Sequence, residues 1–271
     1  MATLTQSLQI KSRCYSNAVW SGTALLVLVA WQASAAGSFD WPQWRGPDRT
    51  DVSRETGLLQ SWPAGGPKRV WLFEIAGMGY SGPAIVDGKL FTMGTRDGAE
   101  VLLALDAGSG QERWATKLGS ILENDWGDGP RGTPAVDADR VYALSGSGVL
   151  VCAKATDGSI LWQRKMSEFG GGTPGWGFTE SPLVEGGMVF CTPGGGKGAI
   201  VALDRMTGAL KWQSSEFTDP AQYSSLVPAE LHGVRQLIQL TAKSVAGVAA
   251  NDGKLLWRCD WPGRVAVIPT P

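Results

Sequence analysis

A single histidine, His232, stands in this chain of 271 residues, and it bounds the chemistry on offer. Zinc, copper and iron sites built on several imidazoles are excluded. A serine–histidine–aspartate relay would have to use His232, but Leu231-His232-Gly233-Val234 reads as a hairpin turn with no nucleophile elbow beside it. Gly194-Gly195-Gly196-Lys197-Gly198 lacks the spacing and the following helix of a phosphate cradle. Glu123-Asn124-Asp125-Trp126-Gly127-Asp128 clusters oxygen ligands of the kind calcium takes, yet its spacing is not that of an EF-hand loop, and it reads as a solvated acidic loop. Of the four cysteines, Cys14 falls in the leader described below. Cys152, Cys191 and Cys259 each sit in an apolar, strand-like run and read as buried small hydrophobes, an odd set that allows at most one disulfide. No catalytic residue and no metal ligand is assigned.

What remains is suited to binding. Tyr80, Trp126, Trp176, Phe178 and Tyr223, with Arg131, Glu180 and Asp128, lie in or beside Gly79-Tyr80-Ser81-Gly82-Pro83, Gly129-Pro130-Arg131-Gly132-Thr133-Pro134, Trp176-Gly177-Phe178-Thr179-Glu180-Ser181-Pro182 and Tyr223-Ser224-Ser225. Aromatic rings around a few charges make a recognition surface. The competing role for these rings is packing that closes the ends of sheets. Either role needs an architecture that gathers four distant segments.

That architecture is written as a repeat. A glycine followed four residues later by a tryptophan recurs at Gly110/Trp114, Gly158/Trp162, Gly208/Trp212 and Gly253/Trp257, each glycine preceded by a turn former (Ser109, Asp157, Thr207, Asp252). Trp71 extends the tryptophan series backwards. The spacings 71→114→162→212→257 are 43, 48, 50 and 45 residues, the period of propeller blades. Within one period, Pro83–Val86, Lys89–Met93, Val101–Leu105 and Gln111–Leu118 read as four short strands separated by Asp-Gly or glycine-rich turns. Thirty-seven glycines are about twice the usual share, and turn chemistry accounts for them. The reading is all-β: a propeller of four-stranded antiparallel blades, in which the segments entering the inner strands converge at the central channel.

Ala104-Leu105-Asp106…Gly110…Trp114 and Ala202-Leu203-Asp204-Arg205-Met206-Thr207-Gly208-Ala209-Leu210-Lys211-Trp212 resemble the tryptophan-docking repeat A-x-D-x-x-T-G-x-x-x-W of the pyrroloquinoline-quinone (PQQ)-like propeller family. The opening Trp41-Pro42-Gln43-Trp44-Arg45-Gly46-Pro47 is similar to the lead of its exported bacterial members. The resemblance implies that Trp71, Trp114, Trp162, Trp212 and Trp257, with Gly110, Gly158, Gly208, Gly253, Asp106 and Asp204, dock adjacent blades. Lys154 and Ala249 stand where the motif has aspartate. Family dehydrogenases carry calcium or a lanthanide at the quinone, held by Glu, Asn and Asp, and many have an adjacent-cysteine disulfide; no such set aligns here. The resemblance therefore points to a non-catalytic scaffold or ligand- or protein-binding module, akin to the outer-membrane-assembly scaffold propellers. A partner protein would sit at the channel-mouth loops. The alternative is a PQQ-dependent oxidoreductase, or a remnant of one, using PQQ with Ca2+.

Lys11 and Arg13, the apolar run Ala24–Trp31 and Ala33-Ser34-Ala35-Ala36 describe a signal peptide over 1–36, too short to span a membrane. Export to the periplasm or medium is expected, with no membrane span after cleavage. A formal net charge of −1 without basic runs removes the footprint of a nucleic-acid binder. The propeller domain covers 37–271, with blades at 79–119, 130–166, 179–216 and 223–260 and a ring-closing strand at 62–76. About four blades make an incomplete wheel.

Overall fold

The computed structural model describes residues 39–263 and 266–271, so the leader expected over 1–36 lies outside the described residues. Two-residue turns with left-handed backbones start the first, third and fourth blades. Asp87-Gly88 has φ of 50° and 68°, and His232-Gly233 has 52° and 74°, the twist that a tight antiparallel hairpin needs. The first sheet is β1 (Ala84–Val86), β2 (Lys89–Arg96), β3 (Ala99–Asp106) and β4 (Glu112–Ser120). The second is β5 (Ala135–Asp137), β6 (Arg140–Leu144), β7 (Val149–Lys154) and β8 (Ile160–Lys165). The third is β9 (Leu183–Glu185), β10 (Met188–Cys191), β11 (Val201–Asp204) and β12 (Leu210–Gln213). The fourth is β13 (Val227–Leu231), β14 (Val234–Leu240), β15 (Ser244–Ala249) and β16 (Leu255–Asp260). Each is a four-stranded antiparallel meander in chain order.

The hydrophobic cores lie between consecutive sheets. Phe91, Met93, Leu102 and Ala104 meet Val141, Ala143, Val151 and Ala153. Tyr142, Leu144, Leu150 and Cys152 meet Val189, Cys191, Val201 and Leu203. Phe190, Ile200 and Ala202 meet Leu237, Ala246 and Val248. Strand alternation sends Val151 and Ala153 of β7 to one neighbour and Leu150 and Cys152 to the other. Both faces of an inner sheet are thus apolar, which makes this a propeller and not a two-layer sandwich.

Between β3 and β4, and at the same place in the other three sheets, one six-residue turn repeats. The amides of Gly110, Gly158, Gly208 and Gly253 donate to the carbonyls of Asp106, Lys154, Asp204 and Ala249 at 2.8–2.9 Å, with φ of 69–76°. The tryptophan of the preceding repeat lies on each glycine: Trp71 on Gly110, Trp114 on Gly158, Trp162 on Gly208 and Trp212 on Gly253. Their Nε1 groups donate to the carbonyls of Ala107, Ala155, Arg205 and Ala250. Trp257 differs. Its Nε1 donates to Gln236 Oε1 (2.6 Å) within its own sheet.

Two readings are corrected. Residues 62–76 form no strand: no ladder partner is present among the described residues, and the segment is tied to the first sheet by Trp71, by the Ala76 carbonyl, which accepts the Thr95 amide, and by the Ile75 carbonyl, which accepts Arg96 Nη2 at 3.2 Å. The four sheets form an open series. Cys152 and Cys191 are buried, but Cys259 is exposed, because β16 is an outer edge strand. The lead packs along the inner strands. Trp41 bridges to Ile85, the Pro42 carbonyl accepts the Val136 amide, and Arg49 reaches the third and fourth sheets, so residues 41–49 cross the inner strands of all four blades.

Candidate functional site

The segment entering each inner strand is extended, so alternate residues face opposite ways. Two residues in each segment, four and two positions before the strand begins, face one shared cavity: Tyr80 and Gly82, Arg131 and Thr133, Thr179 and Ser181, Tyr223 and Ser225. Trp126, Trp176, Trp44 of the lead and Ile268 complete the wall, and the cavity holds about 570 Å³, within the range of ligand pockets. The segments are stitched side by side. The Thr133 amide donates to Ser181 Oγ and the Ser181 amide to Ser225 Oγ, both at 2.9 Å. Ser81 Oγ donates to the Gly132 carbonyl at 2.6 Å.

Arg131 organises the wall. Its Nε donates to the Trp176 carbonyl (2.7 Å) and its Nη2 to the Gly127 carbonyl (2.6 Å). The guanidinium stacks over the Tyr80 ring at 5.1 Å, a cation–π contact. Trp176 and Tyr223 meet as a tilted pair, centroids 5.6 Å apart. Tyr80 Oη donates to the Trp126 carbonyl at 3.0 Å. The Tyr80 and Trp126 rings remain 61% and 76% exposed, so the rim faces outwards.

Of the residues singled out from sequence, Tyr80, Trp126, Arg131, Trp176 and Tyr223 come together here, whereas Asp128, Phe178 and Glu180 do not line the cavity. Asp128 Oδ1 accepts the Asn124 amide (2.8 Å) and holds its own loop. Phe178 is buried in the core between the second and third sheets. Glu180 sits at the odd position between Thr179 and Ser181, so alternation turns it into the blade. It is buried and its Oε1 accepts the Thr192 amide. Thr133, Thr179, Ser181, Ser225 and Gly82 were not singled out. Counting back two and four residues from each inner strand finds them all.

Behind the wall lie two buried ionisable side chains, Arg49 and Glu180. Arg49 Nη1 donates to the Leu226 carbonyl (2.7 Å). Its Nη2 reaches the carbonyls of Ser181 (3.1 Å) and Pro182, and its Nε reaches Gln43 Oε1 (3.0 Å). Burial lowers its pKa to about 10, with Glu180 opposing. Burial pushes Glu180 up to about 7 against the Thr192 hydrogen bonds and the Arg49 charge. Glu100, also buried, anchors the loop above: Oε1 takes the Leu122 amide and Oε2 the Gly146 amide.

Residues 97–263 match the family model described as outer membrane protein assembly factor BamB. The chain is 24% identical over 234 residues to the outer membrane protein assembly factor BamB of Shewanella oneidensis, covering 81% of this chain and 55% of that protein. It is 31% identical over 174 residues to the serine/threonine-protein kinase AfsK of Streptomyces griseus, covering 61% of this chain and 20% of that one. Among solved structures, quinohemoprotein alcohol dehydrogenase ADHIIG from Pseudomonas putida HK5 superposes with a TM-score of 0.50 at 18% identity, over 69% of this chain and 35% of that one. The last likeness is one of fold.

Proposed function

This chain belongs to the BamB-like family of PQQ-repeat β-propellers, and from that premise we propose that it is an exported, non-catalytic scaffold that holds another protein at its channel mouth. One observation carries the reading: four blade-opening segments present a single cavity walled by rings, hydroxyls and one guanidinium, with two large rings exposed at its rim. Exposed aromatic rings around a partly buried arginine are the composition of interface anchors. The oxygens of Ser181 and Ser225 accept backbone amides and so serve as stitches, which suits a scaffold. The name of the Shewanella relative, an assembly factor for outer membrane proteins, agrees with a protein partner. A photo-crosslinker placed at Trp126 in the producing cell should trap a discrete protein. That adduct should vanish in the Arg131→Ala, Trp176→Ala double variant while the melting temperature stays nearly unchanged. A large fall in melting temperature would assign these side chains to packing instead. Export rests on the 1–36 leader; N-terminal sequencing of exported protein should begin near Ala36 or Gly37, and an intact Met1 would overturn cleavage.

The alternative, a PQQ-dependent oxidoreductase or its remnant, needs donors for PQQ with Ca2+. Among the described residues the cavity wall includes no carboxylate. Glu180 is turned away and bonded to the Thr192 amide. Among the described residues no three His, Cys, Asp or Glu side chains gather as a metal site. Calcium prefers six to eight oxygen ligands, carboxylates prominent among them, so the residues present do not fit that group. Dye-linked alcohol oxidation after addition of PQQ and Ca2+ discriminates: a stoichiometric quinone spectrum with turnover would displace the scaffold reading.

A further inference from the structure

Among the described residues that line the channel-mouth cavity, Arg131 alone is charged, and its charge is unanswered. No carboxylate lies within ion-pair distance of it, although eleven such pairs form elsewhere among the described residues. Glu100 feels its field but has both oxygens engaged by the Leu122 and Gly146 amides. Glu123 and Asp125 of the neighbouring loop are exposed outside the wall, and Asp128 is engaged by Asn124. Arg131 is also held still. Two of its nitrogens are fixed on the Trp176 and Gly127 carbonyls and its plane rests on Tyr80. Nη1 has no hydrogen-bond partner among the described residues. A fixed guanidinium with a free N–H, set among apolar rings, is preorganised for a carboxylate oxygen, and charge-assisted bonds of that kind are about twice as strong as neutral ones.

The groups around it extend the match. Ser181 Oγ and Ser225 Oγ already accept amides, which leaves their hydroxyl protons to be donated. Trp126, Tyr80 and Trp176 offer apolar faces on either side. The rim rings stand well out of the cavity, a wider surface than a small free acid covers. We propose that the cavity recognises an acidic side chain, Asp or Glu, flanked by apolar residues on an extended segment of the partner protein, with Arg131 as the carboxylate anchor. This rests on the protein-binding reading above and adds the chemistry of the partner.

The test is an array of immobilised random-sequence pentadecapeptides probed with the full chain. Bound peptides should be enriched in Asp or Glu next to aromatic or aliphatic residues. Replacing that acid by its amide should weaken binding roughly tenfold or more. Arg131→Gln should erase the acidic preference while the melting temperature stays close to that of the parent, and Arg131→Lys should restore part of it. Indole-3-acetate should displace these peptides only weakly. Binders without acidic bias, or a bias that survives Arg131→Gln, would overturn the carboxylate assignment while leaving the docking surface intact. Displacement by indole-3-acetate at peptide-like concentrations would reassign the site to a free aromatic acid. Binding indifferent to both Arg131→Gln and Trp126→Ala would remove the docking surface itself.

Discussion

The indole of Trp162 lies flat against Gly208 of the next blade: a Cβ built on that glycine would stand 2.7 Å from Trp162 Cε3, and Trp162 Nε1 donates to the Arg205 carbonyl at 3.0 Å. Gly208 also has φ of 69°. Gly208→Ala therefore meets two penalties, backbone strain and a clash with the ring. Trp162→Ala should destabilise by about 3–5 kcal/mol, as for other buried tryptophans. In denaturant unfolding the double variant should be less destabilised than the sum of the singles, because removing the ring removes the clash. Strict additivity would mean that ring and glycine do not meet.

Arg49 should be the strongest single latch on the lead. Truncating it to alanine leaves the buried carbonyls of Ser181, Pro182 and Leu226 without their donor. A buried carbonyl left unsatisfied costs about 1–3 kcal/mol. Limited proteolysis of Arg49→Ala should release residues around 41–51 well before the blades are cut, since Trp44 and Gln43 lose their support together. Cleavage in the blades first would show that the lead is held by other contacts.

The repeat was legible because its turn has a fixed chemistry, and the two departures from the motif show which part is fixed. Ser109, Asp157, Thr207 and Asp252 all place a side-chain oxygen on the amide two residues ahead. Asp106 and Asp204 add further bonds to the same turn, so Lys154 and Ala249 remove a supplement and not the turn itself. The rings of the site were legible for a similar reason: they sit in segments that a propeller must bring to its channel. What sequence did not resolve was which way each residue of those segments faces. Thr179, Glu180 and Ser181 look alike as candidates until the start of β9 sets the phase, and one residue of phase separates the cavity from the blade interior. The path of the lead across the inner strands had no periodic signal at all; it is held by scattered contacts, from the Trp41 bridge and the Pro42 carbonyl to Arg49.

Thiol reactivity should separate the cysteines of the propeller. Cys259 is exposed, whereas Cys152 and Cys191 are fully buried, and burial pushes the Cys191 thiol well up. The thiolate is the reactive form. A maleimide probe followed by peptide mapping should mark Cys259 within minutes in native buffer, with Cys152 and Cys191 marked only in denaturant. Native labelling of Cys191 would mean that the interface between the second and third sheets opens readily.

Glu180 should set the pH dependence of stability near neutrality. Its folded pKa is about 7 because burial disfavours the anion, while an unfolded glutamate titrates near 4.3. Between those values the folded chain holds a proton that the unfolded chain has released, so stability falls as pH rises through this window and levels off above about 7. Glu100, also raised by burial, acts in the same direction, whereas the depressed Asp106 and Asp204, at about 2, contribute stability that is lost only at more acid pH. Arg49, at about 10, stays protonated in both states throughout the window. Urea midpoints measured from pH 5 to pH 8 should therefore decline in the parent, by up to a few kcal/mol in unfolding free energy. Glu180→Gln keeps the shape, loses the titration and should flatten most of that slope, leaving the residue due to Glu100. A slope unchanged in Glu180→Gln would place the near-neutral titration elsewhere and leave Arg49 and Glu180 both ionised across the whole range.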